Sequence, residues 1–340
     1  MSLSGKRVRV LITIPAELYS RISRAGDEEK LRSFAECVFN PFNRNLNEDE
    51  LSELIVDVDG CITSWGSPRF TEKVLNNANR LKIIGHAAGS VKPYVTEQVF
   101  KRGIIVVNAA STIAKPVAEF TIAMILNCLR GIPKYVEAMR MRNWVHREQR
   151  GFTTYDLNGK TIGIIGFGAV AKELVKLLKP FEVSIMVYDP YAEPSQVASY
   201  GARKVGLNEL LKCSDVVTLH AALTPETHHM IGEKELRLMK PAAYLINTSR
   251  GALIDENALV KALREKWIAG AALDVFEQEP LESNSPLYDL ENVFLTPHVA
   301  GGSDERMRQL FGTVVEDFKR FFSGEKPINE VPYEKLKILA

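Results

Sequence analysis

The sequence predicts an α/β protein made of two doubly wound parallel-sheet domains, and three observations carry that prediction. Short β-rich runs alternate with helix-compatible segments along almost the whole chain. The alternation comes in two series, separated by one long apolar helical stretch. The length of 340 residues suits about two domains at ~150 residues each. Strand–helix alternation demands crossover connections, and these produce a parallel sheet with helices on both faces.

The first series runs from residue 7 to about residue 109. Its strands are R-V-R-V-L-I-T-I (7–14), D-G-C-I-T-S (59–64), L-K-I-I-G-H (81–86) and I-I-V-V-N (104–108). Between them, residues 28–36, 48–54, 71–79 and 94–102 carry the apolar spacing of amphipathic helices. A longer helical segment over 115–143 follows, with Pro116 in its first turn and Gly131 and Pro133 kinking or dividing it. Its stretch V-A-E-F-T-I-A-M-I-L-N-C-L is apolar nearly all round and must be buried, within the chain or at a subunit interface. The second series places strands at 161–166, 183–189, 215–220, 243–248, 270–275 and 292–296. A last helix over 304–322 ends at Ser323-Gly324. The reading divides the chain into a discontinuous domain, 1–108 plus 303–340, and a second domain, 109–302.

Composition narrows the function. Hydrophobic residues at 46% and charged residues at 25% fit a chain that buries a core. Lys+Arg 43 against Asp+Glu 42 leaves a formal charge of +1, which provides no basic field for nucleic acid or an anionic membrane. The most apolar stretch, 120–129, is shorter than the ~20 residues that cross a bilayer. Lys6, Arg7 and Arg9 precede an apolar run (10–14) too short for a signal h-region of ~7–15 residues, so it reads as a first strand. Cys37, Cys61, Cys128 and Cys213 stand far apart with no C-x-x-C pair, which argues for reduced thiols and a cytoplasmic location. His220, His228 and His229 lack metal-like partners, so they read as structural or solvent-facing, and no metal is expected.

The chemistry begins at a strand–helix junction. The strand T-I-G-I-I leads into Gly166-Phe-Gly168-Ala-Val-Ala171, a G-x-G-x-x-A dinucleotide fingerprint in its required context. Gly166 permits the tight turn, Gly168 lets the backbone approach a pyrophosphate, and Ala171 is small enough for close helix–strand packing. Asp189 ends the next strand, where a carboxylate can bind a ribose 2′-OH and would repel a 2′-phosphate. Pro190, Tyr191 and Ala192 offer no arginine, so the reading is a Rossmann domain that takes NAD rather than NADP.

Three late segments complete the picture: N-T-S-R-G (247–251), D-V-F-E-Q-E-P (274–280) and T-P-H-V-A-G (296–301). Each lies at the C-terminal end of a predicted strand, the edge where open α/β sheets bind ligands. With 29 residues from Arg250 to Glu279 and 19 from Glu279 to His298, the chain resembles the D-isomer-specific 2-hydroxyacid dehydrogenases along nearly its whole length. Taken singly, an arginine before glycine or a lone histidine has a plain structural reading; the spaced trio behind a nucleotide fingerprint favours the functional one. The resemblance implies a Rossmann NAD-binding domain inserted in a flavodoxin-like substrate domain. It also implies an NAD-dependent oxidoreductase that interconverts a small 2-keto acid and its D-2-hydroxy acid, as a homodimer.

Residue roles follow from the same resemblance. Arg250 would offer a planar fork to the carboxylate and keto oxygens. His298 would be the general acid in reduction and base in oxidation, oriented by Glu279, which stands directly before Pro280; Glu277 is a decoy. Asp274 and the backbone of Thr248 would hold the nicotinamide carboxamide. Ala169 and Val170 would meet the pyrophosphate, and Ala221, Ala222 and Thr227 would lie along the adenosine side. A turn in the first domain, H-A-A-G-S-V-K-P (86–93), would bind the substrate carboxylate through amides of Ala88, Gly89 and Ser90.

The chain departs from the family pattern at several points. Lys92-Pro93 replaces an Asp-Asn-like pair, and Lys92 either faces solvent or adds positive charge for a more acidic substrate. Ala169 stands where many members carry Arg or Asn, and the family's histidine–proline pair becomes His220-Ala221. Trp65 falls where phosphoglycerate-specific members present a basic residue, which disfavours a phosphorylated substrate, although Arg69 stands nearby in sequence. Two rivals stay open: a non-catalytic NAD(H)-sensing regulatory protein, and a formate dehydrogenase-like enzyme. The second uses Gln beside the histidine, so Glu279 counts against it.

Overall fold

Runs rich in Val and Ile that are apolar at successive positions need cover on both faces, and here they receive it. The structure, a computed structural model, describes residues 7–146, 148 and 150–336; Lys6 and the extreme ends of the first expected domain lie outside the described residues. The chain divides into two compact units, Met1–Ile113 with Gly302–Ala340, and Ala114–Gly301.

The first unit contains β1 (Val8–Ile12), β2 (Ala35–Phe39), β3 (Gly60–Thr63), β4 (Ile83–His86) and β5 (Ile105–Asn108). They form one parallel sheet in the order β2-β1-β3-β4-β5, the flavodoxin-like arrangement. Alternation along β1 divides its side chains between two cores. Val10 and Ile12 pack with Phe311, Val314 and Phe318 of the helix Leu310–Phe322, while Leu11 packs with Leu51, Ile55 and Val74. The C-terminal helix thus belongs to this unit, and its buried Asp317 accepts the Ile328 N–H at 2.6 Å to anchor the tail that follows.

Strand β2 corrects the sequence reading, which carried a helix over 28–36. The helix is Asp27–Arg32 and ends before β2 begins. An edge strand pairs on one side only and is partly exposed, so A-E-C-V-F gives little apolar signal.

The second unit holds β6 (Thr161–Ile165), β7 (Ser184–Tyr188), β8 (Arg203–Lys204), β9 (Val216–Leu219), β10 (Tyr244–Asn247), β11 (Gly270–Leu273) and β12 (Val293–Leu295). The parallel order is β12-β11-β10-β9-β6-β7-β8, so strand order reverses between β6 and β9. That reversal is the topological switch point of a Rossmann sheet, with ligands expected beyond the strands' C-terminal ends. Ile165, Val217 and Leu245 face one core, and Ile162, Ile164 and Ile246 face the other.

The long apolar segment is two helices, Ala110–Arg130 and Ile132–Arg140, divided at Gly131 with φ 63°. Pro116 sits in the interior of the first helix rather than in its first turn. The helix starts earlier because the Asn108 side chain accepts the Ala110 N–H at 3.2 Å. At 21 residues this helix is long and apolar enough to cross a membrane, unlike the shorter stretch read from sequence. Ala118, Met124, Ile125 and Leu129 place it instead in the core of the second unit.

His86, at the end of β4, is 1% exposed, with Nδ1 2.9 Å from Thr63 Oγ1. Burial pushes its imidazolium down to about 3. The unfolded chain protonates this residue below about pH 6.5 while the folded chain keeps it neutral. The stability is therefore fully present above pH 6.5 and declines as pH falls towards 3. At pH 5 the loss should be ~2 kcal/mol from this residue. Urea unfolding at pH 7.5 and pH 5 should show a smaller pH-dependent loss in His86→Leu than in the wild type; equal losses would refute the assignment.

Candidate active site

The glycine loop after β6 is shaped by contacts that only glycine permits. Gly166 has φ 90°, and a Cβ there would lie 2.5 Å from Ala221 N, so both conformation and crowding require glycine. Gly168 differs: a Cβ there would meet nothing within 4 Å. Packing does not demand that glycine, and the space over the first turn of helix Ala169–Leu178 stays open. The unpaired first-turn amides, including those of Ala169 and Val170, face a position that suits a pyrophosphate. The loop therefore fits a dinucleotide.

Asp189 does more than the sequence reading assigned. Its Oδ2 accepts the Phe167 N–H at 2.7 Å, and Oδ1 accepts Tyr191 N (2.8 Å) and Ala192 N (3.0 Å). The carboxylate ties the glycine loop to the end of β7, and one acceptor position of roughly four remains for a ribose hydroxyl.

Thr227 is likewise committed locally. Its hydroxyl donates to Ala222 O at 2.6 Å and accepts Thr224 N at 2.8 Å, which shapes the loop carrying Ala221 and Ala222. Ser249 Oγ holds that loop by donating to Ala221 O at 2.7 Å. Thr248 Oγ1 lies 3.0 Å from Thr121 Oγ1, whose own proton goes to Val117 O. Thr248 is thus the donor of the pair. His220, at the end of β9, contacts Thr218 Oγ1 at 3.0 Å, and burial pushes it down to about 3.

At the ends of β10, β11 and β12 the predicted trio comes together. Asn247 Oδ1 accepts the Ser249 N–H, and its Nδ2 donates to Arg250 O at 2.9 Å, which fixes the turn carrying Arg250. Burial lowers the pKa of Arg250, and the Glu279 carboxylate pulls it back up. Glu279 Oε1 accepts the Phe276 N–H at 3.1 Å, leaving Oε2 2.6 Å from His298 Nδ1. His298 is exposed and has φ 52°, a left-handed conformation that costs a non-glycine residue about 1–3 kcal/mol.

Asp274 explains how that conformation is held. The carboxylate is fully buried and accepts Thr296 Oγ1 (2.6 Å), Val299 N (2.9 Å) and Ala300 N (2.9 Å). His298 N–H also donates to Asp274 O at 2.8 Å. Where the sequence reading gave Asp274 only a nicotinamide contact, its hydrogen bonds mainly fold the histidine loop.

Gly251 is a residue the sequence reading did not single out. A Cβ there would lie 1.8 Å from the Phe276 carbonyl carbon and 2.4 Å from Glu277 N. Only glycine lets the Arg250 turn lie directly on the segment bearing Glu279. The glycine following Arg250 in N-T-S-R-G was the available signal.

In the first unit, Ala88 corrects the substrate-loop reading. It is buried, and its N–H already donates to His86 O at 2.7 Å. Gly89 and Ser90 are half-buried and remain as the amides able to face a ligand, while Asn108 Nδ2 binds Gly89 O at 2.7 Å. Trp65 is 39% exposed on the loop after β3, and Lys92 is half-buried. A cavity of about 390 Å³ in the second unit lies at the opposite, N-terminal edge of β10–β12, beside Cys128, Tyr155 and Tyr244. None of the predicted site residues lines it.

Residues 122–300 match the family described as D-isomer specific 2-hydroxyacid dehydrogenase, NAD binding domain. The chain belongs to this family. This D-2-hydroxyacid dehydrogenase is 41% identical to a glyoxylate reductase of Thermococcus litoralis over 83% of its own length and 86% of that relative. It is 40% identical to a D-3-phosphoglycerate dehydrogenase of Methanocaldococcus jannaschii over 86% of its length, spanning 56% of that longer protein. A crystal structure of a Pyrococcus horikoshii protein superposes with a TM-score of 0.83 at 31% identity, covering 98% of this chain and 97% of that one. The dehydrogenase takes NAD as cofactor, and its NAD-binding domain is the second unit.

The two glycine environments predict different failures. Gly168→Ala should leave the melting temperature unchanged and weaken NADH binding about tenfold, because its Cβ enters only ligand space. Gly251→Ala should lower stability by about 2 kcal/mol or more, because two main chains must separate. Calorimetric melting and fluorescence titration with NADH check both; equal melting temperatures for the two variants would refute the distinction.

Proposed function

We propose that the protein uses NADH to reduce a small 2-keto acid to its D-2-hydroxy acid, and catalyses the reverse oxidation, with His298 as the acid–base residue. The observation that carries this reading is the 2.6 Å contact of Glu279 with Nδ1 of a strained, exposed His298. Glu279 takes the Nδ1 proton as a hydrogen bond, which leaves Nε2 as the nitrogen that exchanges a proton with substrate. NADH, when bound, supplies the hydride. In reduction His298 Nε2–H gives its proton to the developing alkoxide, while the Glu279 carboxylate holds the ring at Nδ1. Arg250 supplies a charged fork for the keto and carboxylate oxygens. Asp274, Thr248 and the amides of Ala169 and Val170 are the groups proposed to hold the nicotinamide and pyrophosphate ends.

Gly89 and Ser90 are proposed to bind the substrate carboxylate through their amides. The uncharged Trp65 favours an unphosphorylated acid, and the glyoxylate reductase relatives favour glyoxylate or hydroxypyruvate within that class. The Asp189 carboxylate favours NADH over NADPH, since a 2′-phosphate would approach a negative charge. We further propose a cytoplasmic location, supported by four free cysteines.

Purified protein should consume NADH with glyoxylate or hydroxypyruvate and run at least about tenfold slower with NADPH. His298→Ala should lose at least ~100-fold of turnover while keeping NADH affinity. Undiminished turnover in that variant would sink the acid–base role. Saturable NADH binding by the wild type without turnover of any 2-keto acid would point instead to a non-catalytic NAD(H)-binding protein.

A homodimer is also proposed. Helix Ile132–Arg140 has no buried residue and exposes Ile132, Val136 and Met139, with Met141 and Trp144 exposed just beyond it. Light scattering should give about twice the 38.0 kDa chain mass; a mass of one chain would overturn the proposal.

A further inference from the structure

Two histidines of the second unit, His229 and His298, both at φ 52°, bind carboxylates of one short segment. His298 meets Glu279, and His229 Nε2 lies 2.6 Å from Glu277 Oε1. Glu277 stands two residues before Glu279 and has no part in the proposed acid–base chemistry. Two left-handed imidazoles gripping the same irregular segment mark it as a place where backbone freedom has been removed.

The second pair is built into its surroundings. The Glu277 carboxylate accepts Glu256 N at 3.2 Å, and Glu256 Oε2 accepts Glu277 N at 3.4 Å. The segment is thereby cross-tied to the start of helix Glu256–Arg264. Burial and the Glu277 charge both push the Glu256 carboxyl up. His229 faces Glu277, with Glu256 beyond it; the His228 ring stacks on it with centroids 3.9 Å apart, and its N–H donates to Ala252 O at 2.8 Å. Gly251 lies against Phe276 and Glu277 from the other side. The held segment supplies the Phe276 N–H that orients Glu279 Oε1.

We propose that His229 and Glu277 form a positioning pair for the Glu279–His298 dyad. His229 fixes Glu277, Glu277 fixes residues 276–279, and Glu279 then meets His298 in a single geometry. His229 also follows the loop of Ala221, Ala222 and Thr227, so the pair joins the cofactor side of the site to the acid–base side. The inference rests on the acid–base role proposed for His298. Without His229, the Glu277 carboxylate would face the Glu256 carboxyl with no imidazole partner, and the segment would relax.

The test compares His229→Leu with His229→Gln, which keeps a side-chain N–H for Glu277. Three quantities are read: kcat, KM for the reduced 2-keto acid, and the NMR chemical shifts of the His298 imidazole at fixed pH. His229→Leu should lower kcat about tenfold with KM changed less than about threefold, and should displace the His298 imidazole NMR signals from their wild-type positions. His229→Gln should recover most of both. If His229→Leu fails to fold, Glu277→Gln should give a smaller loss of kcat and a smaller displacement of the His298 signals. An unchanged kcat and unchanged His298 imidazole signals in a folded variant, even with a lower melting temperature, would overturn the proposal. Absence of wild-type turnover would refute the assigned reaction instead, and the NMR comparison would still decide the pairing.

Discussion

The buried carboxylate of Asp274 is the interaction on which the site depends. A charge at the end of β11, wholly removed from water, persists only when donors surround it, and three reach it from residues 296, 299 and 300. Those donors lie on both sides of His298, so the chain must wrap around the carboxylate. That wrapping puts His298 at φ 52° and turns its side chain to Glu279. Strain of about 1–3 kcal/mol at one residue is offset by hydrogen bonds to a charged group, each worth about 1.5–3 kcal/mol. His298 is thus aimed by main chain rather than by its own side-chain packing.

The same strategy recurs on the facing loops. Gly251 lets the Arg250 turn touch the backbone of Phe276, and Gly166 lets the nucleotide loop touch Ala221. Each contact replaces side-chain packing with direct backbone approach, which leaves little room for the loops to move apart. Asp189 and Asn247 then lock the turns by accepting main-chain N–H groups. Loops at the carboxyl edge of a parallel sheet are ordinarily the mobile part of such a fold. Here they are cross-linked by polar side chains anchored at the ends of rigid strands.

Much of this was legible in the sequence, and what was missed has a physical pattern. Interior strands such as β4, β6 and β10 were readable because burial on both faces leaves near-continuous apolar runs. Edge strands β2 and β8 were not, since β2 carries Glu36 within its apolar run and β8 is only Arg203–Lys204, whereas the edge strand β12 keeps the apolar run V-F-L and was readable. Arg250, Glu279 and His298 stood out by type, spacing and family resemblance, and the structure puts Glu279 against His298. The second jobs of Asp189, Asp274 and Thr227 were not, because accepting a main-chain N–H needs no partner residue type and writes nothing into the sequence. Ala88 failed for the same reason: its amide is spent on His86 O, a fact of backbone geometry alone. Pro116 misplaced the helix start because proline suits a first turn, while the Asn108 cap acts earlier.

This division bears on where ligand identity is decided. Of the residues that depart from the family pattern, Ala221 accepts Ser249 Oγ beside Arg250 and crowds Gly166, whereas Ala169 opens the helix Ala169–Leu178 and Trp65 stands on the loop after β3 in the first unit. In the first unit, the Ala88 amide is spent on His86 O, while Gly89 and Ser90 stay half-buried. The nearby Trp65 adds surface without charge. The contacts that hold His298 and the Arg250 turn, from Asp274, Asn247 and Gly251, are all made by residues of the second unit, so that scaffold is built from the unit's own main chain.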